Sequence, residues 1–449
     1  MTWNNSQPSH WSIAANWIIP VDGPPIRDGV LRMQAGRVEA VGPRGEVSPA
    51  PRHEELGALA VLPGLVNAHC HLELSELRGR LPAKKPMIQW LFALIQNRDS
   101  LDYRQGARQG AMELLASGCT TVGDVSHDNG VWPVLKELPL RKVCFAEVLG
   151  MGPLAGAGWD RLEKSLQNLQ PDDRLQFGLS PHAPYSTSQQ LYRRAIELAS
   201  RRGMPVTTHL AETQEERIFL HKGTGMFREF LARMGQGEAL AGPLEVTPIG
   251  FAQRVGLLAG KAILAHVNYI DQAELELLSG SQASVAYCPR SSEFFGRSGH
   301  GYPQMLRQGI NVCLGTDSLA SNTSLDMLAE LRAVWAQGQV DAPTVLRMGT
   351  LNGARALGLE SQVGSLTPGK WADWIALPCP GAEDPLQQIL SHPAPPARIV
   401  IAGQDAVTKL SKGGNKEPGT RTKVEETEEE PTSSTPSQPT FDCGEGLLK

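Results

Sequence analysis

Eight short apolar runs alternate with amphipathic stretches in the central part of this chain, and no other feature constrains its fold as strongly. The runs have the length of strands, and most are apolar at nearly every position, as is typical of parallel strands buried on both faces. They are Leu59–Ala68, Cys119–Val125, Arg141–Leu149, Leu175–Ser180, Pro205–His209, Ala262–Val267, Ala283–Tyr287 and Asn311–Leu314. Helical stretches such as Gln189–Ser200 separate them. The alternation predicts an α/β chain with a (β/α)8 TIM barrel over residues 59–362.

A doubly wound open sheet is the alternative arrangement of alternating strands and helices. It would need a Gly-rich phosphate-binding turn after its first strand. Pro63-Gly64 precedes a polar cluster and does not form such a turn, so the barrel is favoured.

The two ends of the chain differ from this central region. Short strand-like segments separated by turns occur in residues 1–58 and again in residues 363–410, and we expect them to pair in one small β-sandwich domain. The segments are Ser12–Ile19, Gly29–Gln34, Arg37–Val41, Trp371–Leu377 and Arg398–Ala402. Residues 411–449 are polar, with an acidic run followed by Thr, Ser and Pro. Because this composition buries too little apolar surface to fold, we predict a disordered polar tail.

Charge and composition narrow the class of protein. The formal net charge is −5, which gives no electrostatic footprint for nucleic acid or an anionic membrane. No apolar stretch approaches the roughly 20 residues of a membrane span, and the N-terminus lacks the pattern of a signal peptide. The seven cysteines are odd in number and show no metal-binding spacing. We therefore expect them to serve as small, buried apolar side chains of a protein in a reducing compartment. The sequence therefore predicts a cytoplasmic protein with a small-molecule substrate, and it leaves a homodimer open.

Two histidines end the first predicted barrel strand. His69 and His71 are separated by one residue, and positions i and i+2 of a strand lie on the same face. Both imidazoles are therefore expected to point into the mouth of the barrel. Two neutral ring nitrogens in that place suit a divalent metal.

Three more polar residues end other predicted strands. His209 and His266 lie at the ends of the fifth and sixth runs, and Asp317 follows the eighth. The carboxyl ends of the strands of a TIM barrel converge on one rim, and active sites are built there. Buried carboxylates and histidines are costly unless they are paired or bind a ligand. In the alternative, each of these polar residues is a separately satisfied core or loop group. That alternative is reasonable for a single residue but is much less favoured when five residues lie at corresponding strand ends.

These residues and their flanks resemble the metal site of the amidohydrolase superfamily. The flanks are Leu62–Ala68 and Gly315–Ser318, and the resemblance extends from about Val61 to Pro368. The resemblance implies the barrel with its flanking β unit. It also implies a metal-dependent hydrolase with one divalent ion, with Zn²⁺ as the default and Fe²⁺ as the alternative. Binuclear members usually bridge two metals through a lysine of the fourth strand, whereas Leu175–His182 contains no lysine.

The same resemblance implies a role for each residue of the cluster. His266 would contact the substrate or the water at the metal. The implied metal ligands are His69, His71, His209 and Asp317.

Glu212 follows His209 by three residues, and this spacing narrows the reaction. A carboxyl group just beyond a metal ligand can protonate a ring nitrogen while an activated water attacks the adjacent carbon. Asp317, beside the same water, can accept its proton. The HxxE pattern resembles the nucleoside- and nucleobase-deaminase branch of the superfamily. The alternative for Glu212 is an acid that stabilises a helix N-terminus.

Two further segments resemble adenosine-type deaminases. Ser180–Ser186 is similar to their SPHAPY segment, in which the histidine, here His182, meets the substrate base. His71–Ser75, with Trp90-Leu91 and Ile95–Arg98 downstream, looks most like aminodeoxyfutalosine deaminases. Their substrate is a 6-aminopurine nucleoside of menaquinone biosynthesis. S-Adenosylhomocysteine or methylthioadenosine deaminase is the alternative within the branch, and a chlorohydrolase or a guanine-type aminohydrolase is the alternative outside it.

Two residues are candidates for binding the substrate's side groups. Arg290 lies in Cys288–Ser292, where relatives often show CPxSN, and it can bind a substrate carboxylate or act as a structural arginine. Glu73 can contact ribose hydroxyls or be a surface acid. A noncatalytic barrel that keeps metal only for structure would have lost a ligand or Glu212, and this sequence retains them all.

Overall fold

The computed structural model describes residues 10–406, apart from residues 128, 168, 237–241 and 382. Within these ranges the strands form two sheets of eight strands each. The strands are β1 His10–Ile18, β2 Ile26–Gln34, β3 Arg37–Pro43, β4 Arg52–Glu55, β5 Leu59–Pro63, β6 Leu65–Cys70, β7 Cys119–Ser126, β8 Arg141–Val148, β9 Leu175–Pro181, β10 Val206–Leu210, β11 Ala262–His266, β12 Ser284–Tyr287, β13 Asn311–Leu314, β14 Trp374–Pro378, β15 Arg398–Ile401 and β16 Gln404–Asp405.

Helices follow the strands of the barrel, and one more lies between two strands of the mixed sheet. The helices are α1 Met87–Arg98, α2 Tyr103–Ala116, α3 Trp132–Lys136, α4 Leu154–Ser165, α5 Gln189–Arg202, α6 Gln214–Lys222, α7 Met226–Arg233, α8 Pro248–Val255, α9 Gln272–Ser279, α10 Pro289–Phe294, α11 Tyr302–Arg307, α12 Met327–Ala336, α13 Ala342–Met348, α14 Leu351–Ala356 and α15 Pro385–Ser391. Short 3-10 helices cover Leu72–Leu77, Asn129–Val131 and Leu257–Ala259. In the described part of the chain, no helix combines the length and apolar character needed to cross a membrane.

Strands β6 to β13 pair in sequence order, and each pair of neighbours is parallel. A parallel bridge between Cys70 and Asp317 connects the last strand end to the first, and the Asp317 backbone N–H donates to the His69 carbonyl at 3.1 Å. Every residue of β7, β10 and β11 is buried, as expected for strands covered on both faces. The predicted (β/α)8 barrel is confirmed.

The other sheet joins the two ends of the chain in one mixed sheet. Its order is β16-β15-β14-β5-β1-β2-β3, and β4 also pairs with β1. At the β3 edge of this sheet, the Val38 backbone N–H donates to the Lys370 carbonyl at 2.8 Å, in the segment that precedes β14. Ile13 and Trp374, both fully buried, belong to the hydrophobic core of this sheet. The predicted pairing of the chain ends is confirmed, but helix α15 was missed in a region where only strands were expected.

The run Leu59–Ala68 was expected to be one barrel strand, and that expectation is wrong. Residues of β5 pair with β14 and β1 in the mixed sheet, whereas β6 belongs to the barrel. The chain changes sheets at Gly64 and not between residues 58 and 59. A Cβ atom on Gly64 would lie 2.1 Å from the Thr120 hydroxyl oxygen, so only glycine fits there. Both strands are buried, so the apolar run is continuous and does not reveal the change of sheet.

A buried ion pair connects the barrel to the mixed sheet. Arg141 of β8 lies 2.5 Å from the carboxylate of Asp373, and each residue is 3% exposed. The six described cysteines are buried and free, in agreement with the sequence prediction. Cys443 and the predicted tail over 411–449 lie outside the described residues.

Candidate active site

The predicted strand-end residues converge at one rim of the barrel. His69 is in β6, His209 in β10 and His266 at the end of β11, while His71 and Asp317 follow β6 and β13. The Nε2 atoms of His71 and His209 are 3.1 Å apart, and Asp317 Oδ1 is 3.9 Å from the Nε2 atoms of both His69 and His71. Possible ligand atoms lie within 4.8 Å of one another in two overlapping groups: His69, His71 and His209; and His69, His266 and Asp317.

The backbone is unusual where two of these side chains emerge. His266 and Asp317 have φ angles of 71° and 59°, in the left-handed region that non-glycine residues rarely adopt. Ala211, between His209 and Glu212, has a φ angle of 50°. Such conformations are destabilising by about 1–3 kcal/mol each and occur preferentially at functional sites. Here they turn the chain at the ends of three strands and direct polar side chains into the barrel mouth.

The cluster fits a divalent metal ion. Both ring nitrogens of His69 are buried and have no hydrogen-bond partner among the described residues, nor does His266 Nδ1. Burial, reinforced by the neighbouring His209, lowers the pKa of His71 to about 4, so its imidazole is neutral at pH 7 and has a free lone pair. Nitrogen ligands of a tetrahedral zinc ion lie about 3.3 Å apart, close to the His71–His209 separation. His69, His71, His209 and Asp317 would hold the ion.

Neighbouring groups orient two of these residues. The Nδ1–H of His209 donates to the His182 carbonyl at 3.0 Å, which leaves its Nε2 lone pair free to face the cluster. Asp317 Oδ2 accepts hydrogen bonds from the hydroxyls of Ser291 and Ser321, each at 2.7 Å. Burial alone would raise the pKa of Asp317, but His266, His71 and these hydroxyls lower it to about 2.

Glu212 is buried beside the cluster and does not cap a helix. Thr213 is the N-cap of α6 and accepts a hydrogen bond from the Glu216 backbone N–H. The Glu216 carboxylate in turn accepts from the backbone N–H groups of Ala211 and Glu212, at 2.9 and 3.0 Å, and fixes the turn. The Glu212 side chain has a partner of its own, because the Arg297 guanidinium lies 3.0 Å from Glu212 Oε1. Burial raises the pKa of Glu212, but His266 and Arg297 outweigh it and hold the pKa below its usual value.

A cavity of about 200 Å³ opens at this rim. Its polar end includes His71, His209, Glu212, His266 and Asp317, and much of its remaining wall is apolar. Two of the predicted substrate-binding residues, Glu73 and His182, line the same cavity. Glu73 is 3% exposed, so it is not a surface acid.

Arg290 is not brought to the cavity. Its guanidinium donates to the Ser324 hydroxyl at 2.7 Å and lies 3.6 Å from the buried carboxylate of Glu330. This environment corresponds to the structural alternative for Arg290. The cavity contains another arginine, Arg98, in the last turn of α1.

The sequence analysis missed several residues of the site. Glu147 and His127 line the cavity, and a His127 ring nitrogen lies 3.2 Å from Glu147. The second Glu147 oxygen is 4.0 Å from His182 Nε2. Arg297 was missed as well, because it lies in a glycine-rich loop with no recognisable spacing to Glu212. Glu147 had a usable signal, since it lies near the carboxyl end of a predicted strand.

Comparison with known proteins agrees with this arrangement. The sequence profile of the amidohydrolase family matches residues 60–415. A 5-methylthioadenosine/S-adenosylhomocysteine deaminase from Moorella thermoacetica is 32% identical over 379 residues, which cover 80% of this chain and 83% of the relative. The crystal structure of a zinc-bound adenosine deaminase from Xanthomonas campestris superimposes with a TM-score of 0.75 and 25% identity, over 88% of this chain and 92% of that one.

A further structural neighbour shares the fold. The Helicobacter pylori aminofutalosine deaminase, solved in complex with methylthio-coformycin, superimposes with a TM-score of 0.79 and 22% identity. The match covers 88% of this chain and 100% of that one. The family profile covers most of the chain, including the barrel and every residue of the histidine–aspartate cluster. The protein is therefore a hydrolase of the amidohydrolase family.

Proposed function

We propose that the protein is a metal-dependent deaminase that hydrolyses the 6-amino group of an adenine-type nucleoside and releases ammonia. The observation that carries this proposal is the place of Glu212. Its buried carboxylate lines the same cavity as the histidine–aspartate cluster, within a partly apolar space. A proton-transferring carboxyl group beside a metal cluster suits the attack of water on a ring carbon next to a ring nitrogen. The deaminase relatives support the same reaction.

The metal, when bound, supplies Lewis-acid chemistry that makes water a nucleophile at neutral pH. Asp317 and Glu212 are both held as carboxylates by their neighbours, so each can accept a proton. Glu212 takes one proton of the attacking water and delivers it to ring nitrogen N1. Asp317 takes the other proton and passes it to the departing amino group. The products are then a 6-oxopurine nucleoside and ammonia, and both carboxylates are regenerated.

Two further residues orient the purine in this scheme. His182 lines the cavity, and its Nδ1 lies 2.6 Å from the Ser186 hydroxyl, which fixes the ring. Burial lowers the pKa of His182 to about 3, so it meets the base as a neutral imidazole. Among the described residues His266 Nδ1 has no hydrogen-bond partner, and a His266 ring nitrogen lies within 4.8 Å of an Asp317 carboxylate oxygen, so His266 is placed to contact the substrate or the attacking water. Glu73 is placed for the ribose hydroxyls.

For the substrate, we propose aminodeoxyfutalosine, and therefore a role in menaquinone biosynthesis. The resemblance of His71–Ser75 and of the α1 segment to aminodeoxyfutalosine deaminases supports this choice. S-Adenosylhomocysteine and methylthioadenosine are the alternative, favoured by the relative that is 32% identical. Zinc is the proposed metal, with iron as the alternative. A cytoplasmic location and a homodimer stay predictions.

The test is ammonia release by purified protein whose metal content has been measured. The panel contains aminodeoxyfutalosine, S-adenosylhomocysteine, methylthioadenosine, adenosine and guanine. A clear preference for aminodeoxyfutalosine would support both the reaction and the pathway. Preference for one of the other adenine nucleosides would keep the deaminase and change its substrate. Absence of ammonia from all five, with about one metal per chain, would contradict the deaminase proposal.

A further inference from the structure

One face of helix α1 lines the cavity. The contributing positions recur every three or four residues, which is the spacing of one helical face. They are Met87, Trp90, Leu91, Leu94, Ile95 and Arg98. Leu91, Leu94 and Ile95 are only half-buried, so part of their apolar surface faces the cavity and is not packed against the protein. An apolar wall of this kind is suited to bury an apolar part of a ligand.

The start of this face is linked to the loop that supports Asp317. Near its start, the Trp90 ring N–H donates to the Ala320 carbonyl at 2.9 Å, in the same loop as Ser321, which binds Asp317. Arg98 follows Trp90 by eight positions, and at 1.5 Å per residue it lies about 12 Å further along the helix. Phe230 of α7 adds an aromatic ring to the lining. A ligand whose purine lies at the cluster would therefore direct a remote substituent along α1 toward Arg98.

Arg98 has no acidic partner in the described part of the chain. Its Nε donates to the Tyr103 hydroxyl at 3.1 Å, and Tyr103 also lines the cavity. Within the described residues, its two terminal nitrogens make no hydrogen bond and no ion pair. A guanidinium with unused donors in a partly apolar cavity is suited to bind a carboxylate through two parallel hydrogen bonds.

We propose that α1 forms a subsite for a substituent on the 5′ side of the nucleoside, apolar along its length and ending in a carboxylate bound by Arg98. This inference rests on the proposed deaminase function and specifies the substrate class. Arg98, and not Arg290, is then the residue that selects an anionic substrate. A competing explanation is that Arg98 only stabilises the C-terminal end of α1 through the helix dipole.

The test compares aminodeoxyfutalosine, which has a carboxylate, with its methyl ester and with methylthioadenosine, which have none. Arg98→Gln should lower kcat/KM for aminodeoxyfutalosine by about 10- to 100-fold, the loss expected for a charge-assisted hydrogen bond. The loss should appear mainly in KM, because the carboxylate is remote from the reacting atoms and is bound equally in the ground and transition states. Turnover of the ester and of methylthioadenosine should stay within about twofold of the wild-type value, since neither has the anion.

Two variants serve as controls. Arg98→Lys keeps the charge and should retain part of the preference for the acid. Arg104→Gln removes an exposed positive charge near the start of α2, outside the cavity, and should leave all three substrates unaffected. An equal loss for all three substrates, or no loss for aminodeoxyfutalosine, would overturn the subsite and leave the helix-dipole explanation.

A binding measurement separates this inference from the proposed function. The 6-oxo counterparts of aminodeoxyfutalosine and of its ester cannot be deaminated, so their affinities for the metal-loaded protein can be measured by calorimetry. Tighter binding of the acid by the wild type, lost in Arg98→Gln, would support the subsite even if no ammonia were released. Equal affinities for acid and ester would overturn it even if deamination were observed.

Discussion

The guanidinium of Arg297 lies 3.0 Å from the carboxylate oxygen Oε1 of Glu212, and both side chains are at most 10% exposed. Arg297 also lies over the Phe295 ring, 4.4 Å from its centroid, and Phe295 lines the cavity. The ion pair therefore fixes the carboxylate that we propose transfers protons. An arginine of the loop after α10 thus supports a residue that lies 85 positions earlier in the sequence.

Replacement of Arg297 should slow the chemical step without removing the metal. Arg297→Gln should lower kcat by about tenfold, because Glu212 loses the hydrogen bond that orients it. This loss is smaller than the roughly 10²- to 10⁴-fold that general acid–base catalysis supplies, since Glu212 itself remains. Arg297→Lys should have a kcat between those of Arg297→Gln and the wild type. The measurement is steady-state ammonia release together with metal content per chain. Arg307→Gln, at an exposed arginine of α11, is the control, and an equal loss there would argue against a specific role for Arg297.

Glu212 and His69 should be separable by metal content. Glu212→Gln should bind metal normally and lose about 10²- to 10⁴-fold in kcat, since the amide cannot carry a proton to N1. His69→Ala should lose the metal, because it removes a buried proposed ligand that belongs to both groups of possible ligand atoms. Elemental analysis and ammonia release on the same samples distinguish the two variants. Normal turnover by Glu212→Gln would refute its assignment as the proton carrier.

The ion pair between the barrel and the mixed sheet should matter for stability. Asp373→Asn removes the charge that compensates the buried guanidinium of Arg141, and we expect a loss of about 3–5 kcal/mol in the free energy of unfolding. Denaturation in urea measures this loss. Glu197→Gln, which breaks the exposed pair with Arg201 on α5, should change the unfolding midpoint little. If both variants changed the free energy of unfolding by similar amounts, the buried pair would contribute no more to stability than the exposed one.

Lys142 should make stability depend on pH above neutrality. Burial lowers the pKa of Lys142 to about 7, and within the described part of the chain its Nζ donates hydrogen bonds only to the Leu135 and Leu138 carbonyls, each at 2.9 Å. An unfolded lysine has a pKa of about 10.4. Between these values the unfolded chain binds more protons than the folded one, so the free energy of unfolding of the wild type rises with pH. The cost of burying the charged Lys142 is therefore largest below about pH 7.

The matched variant is Lys142→Met, which has no titrating group. Relative to the wild type it should be most stabilised below about pH 7, and the difference should shrink steadily toward about pH 10. Thermal melting of both proteins across this range gives the comparison. Parallel curves would show that Lys142 titrates at its ordinary pKa in the folded protein.

Most of the barrel could be predicted from sequence, because its strands are buried on both faces and therefore apolar at nearly every position. The strand predicted at Leu175–Ser180, for example, is Leu175–Pro181 in the structure. The same rule failed at Leu59–Ala68, where two adjacent buried strands belong to different sheets. Periodicity reports burial and not the sheet to which a strand belongs. Helix α15 was missed because it has only seven residues, in a region where strand-like segments dominate.

The site divides in a similar way. His69 and His71 were predicted from their i, i+2 spacing, which places both on one face of a strand. Glu212 was predicted from its spacing to His209 together with the resemblance of HxxE to the deaminase branch. For a substrate carboxylate Arg290 was predicted from the sequence, with a structural arginine as the alternative, and Arg98 was not considered for that role. Their environments differ in the fold. The carboxylate of Glu330 lies beside Arg290, whereas among the described residues the Arg98 guanidinium donates a hydrogen bond only to the Tyr103 hydroxyl.

The sequence by itself determined the barrel, because buried strands are apolar, and it placed the polar residues of the histidine–aspartate cluster at strand ends. The metal-ligand set and the role of the HxxE carboxyl group came from the resemblance of these residues to the amidohydrolase superfamily. Only the tertiary structure decided which distant side chains support that cluster. Arg297 reaches Glu212 from a loop, and Glu147 reaches His127 and His182 from a neighbouring strand. The structure also decided that the apolar face of α1 lines a cavity. An amphipathic helix has the same pattern of residues whether its apolar face packs against the core or faces a ligand, and only its neighbours in the folded chain distinguish the two.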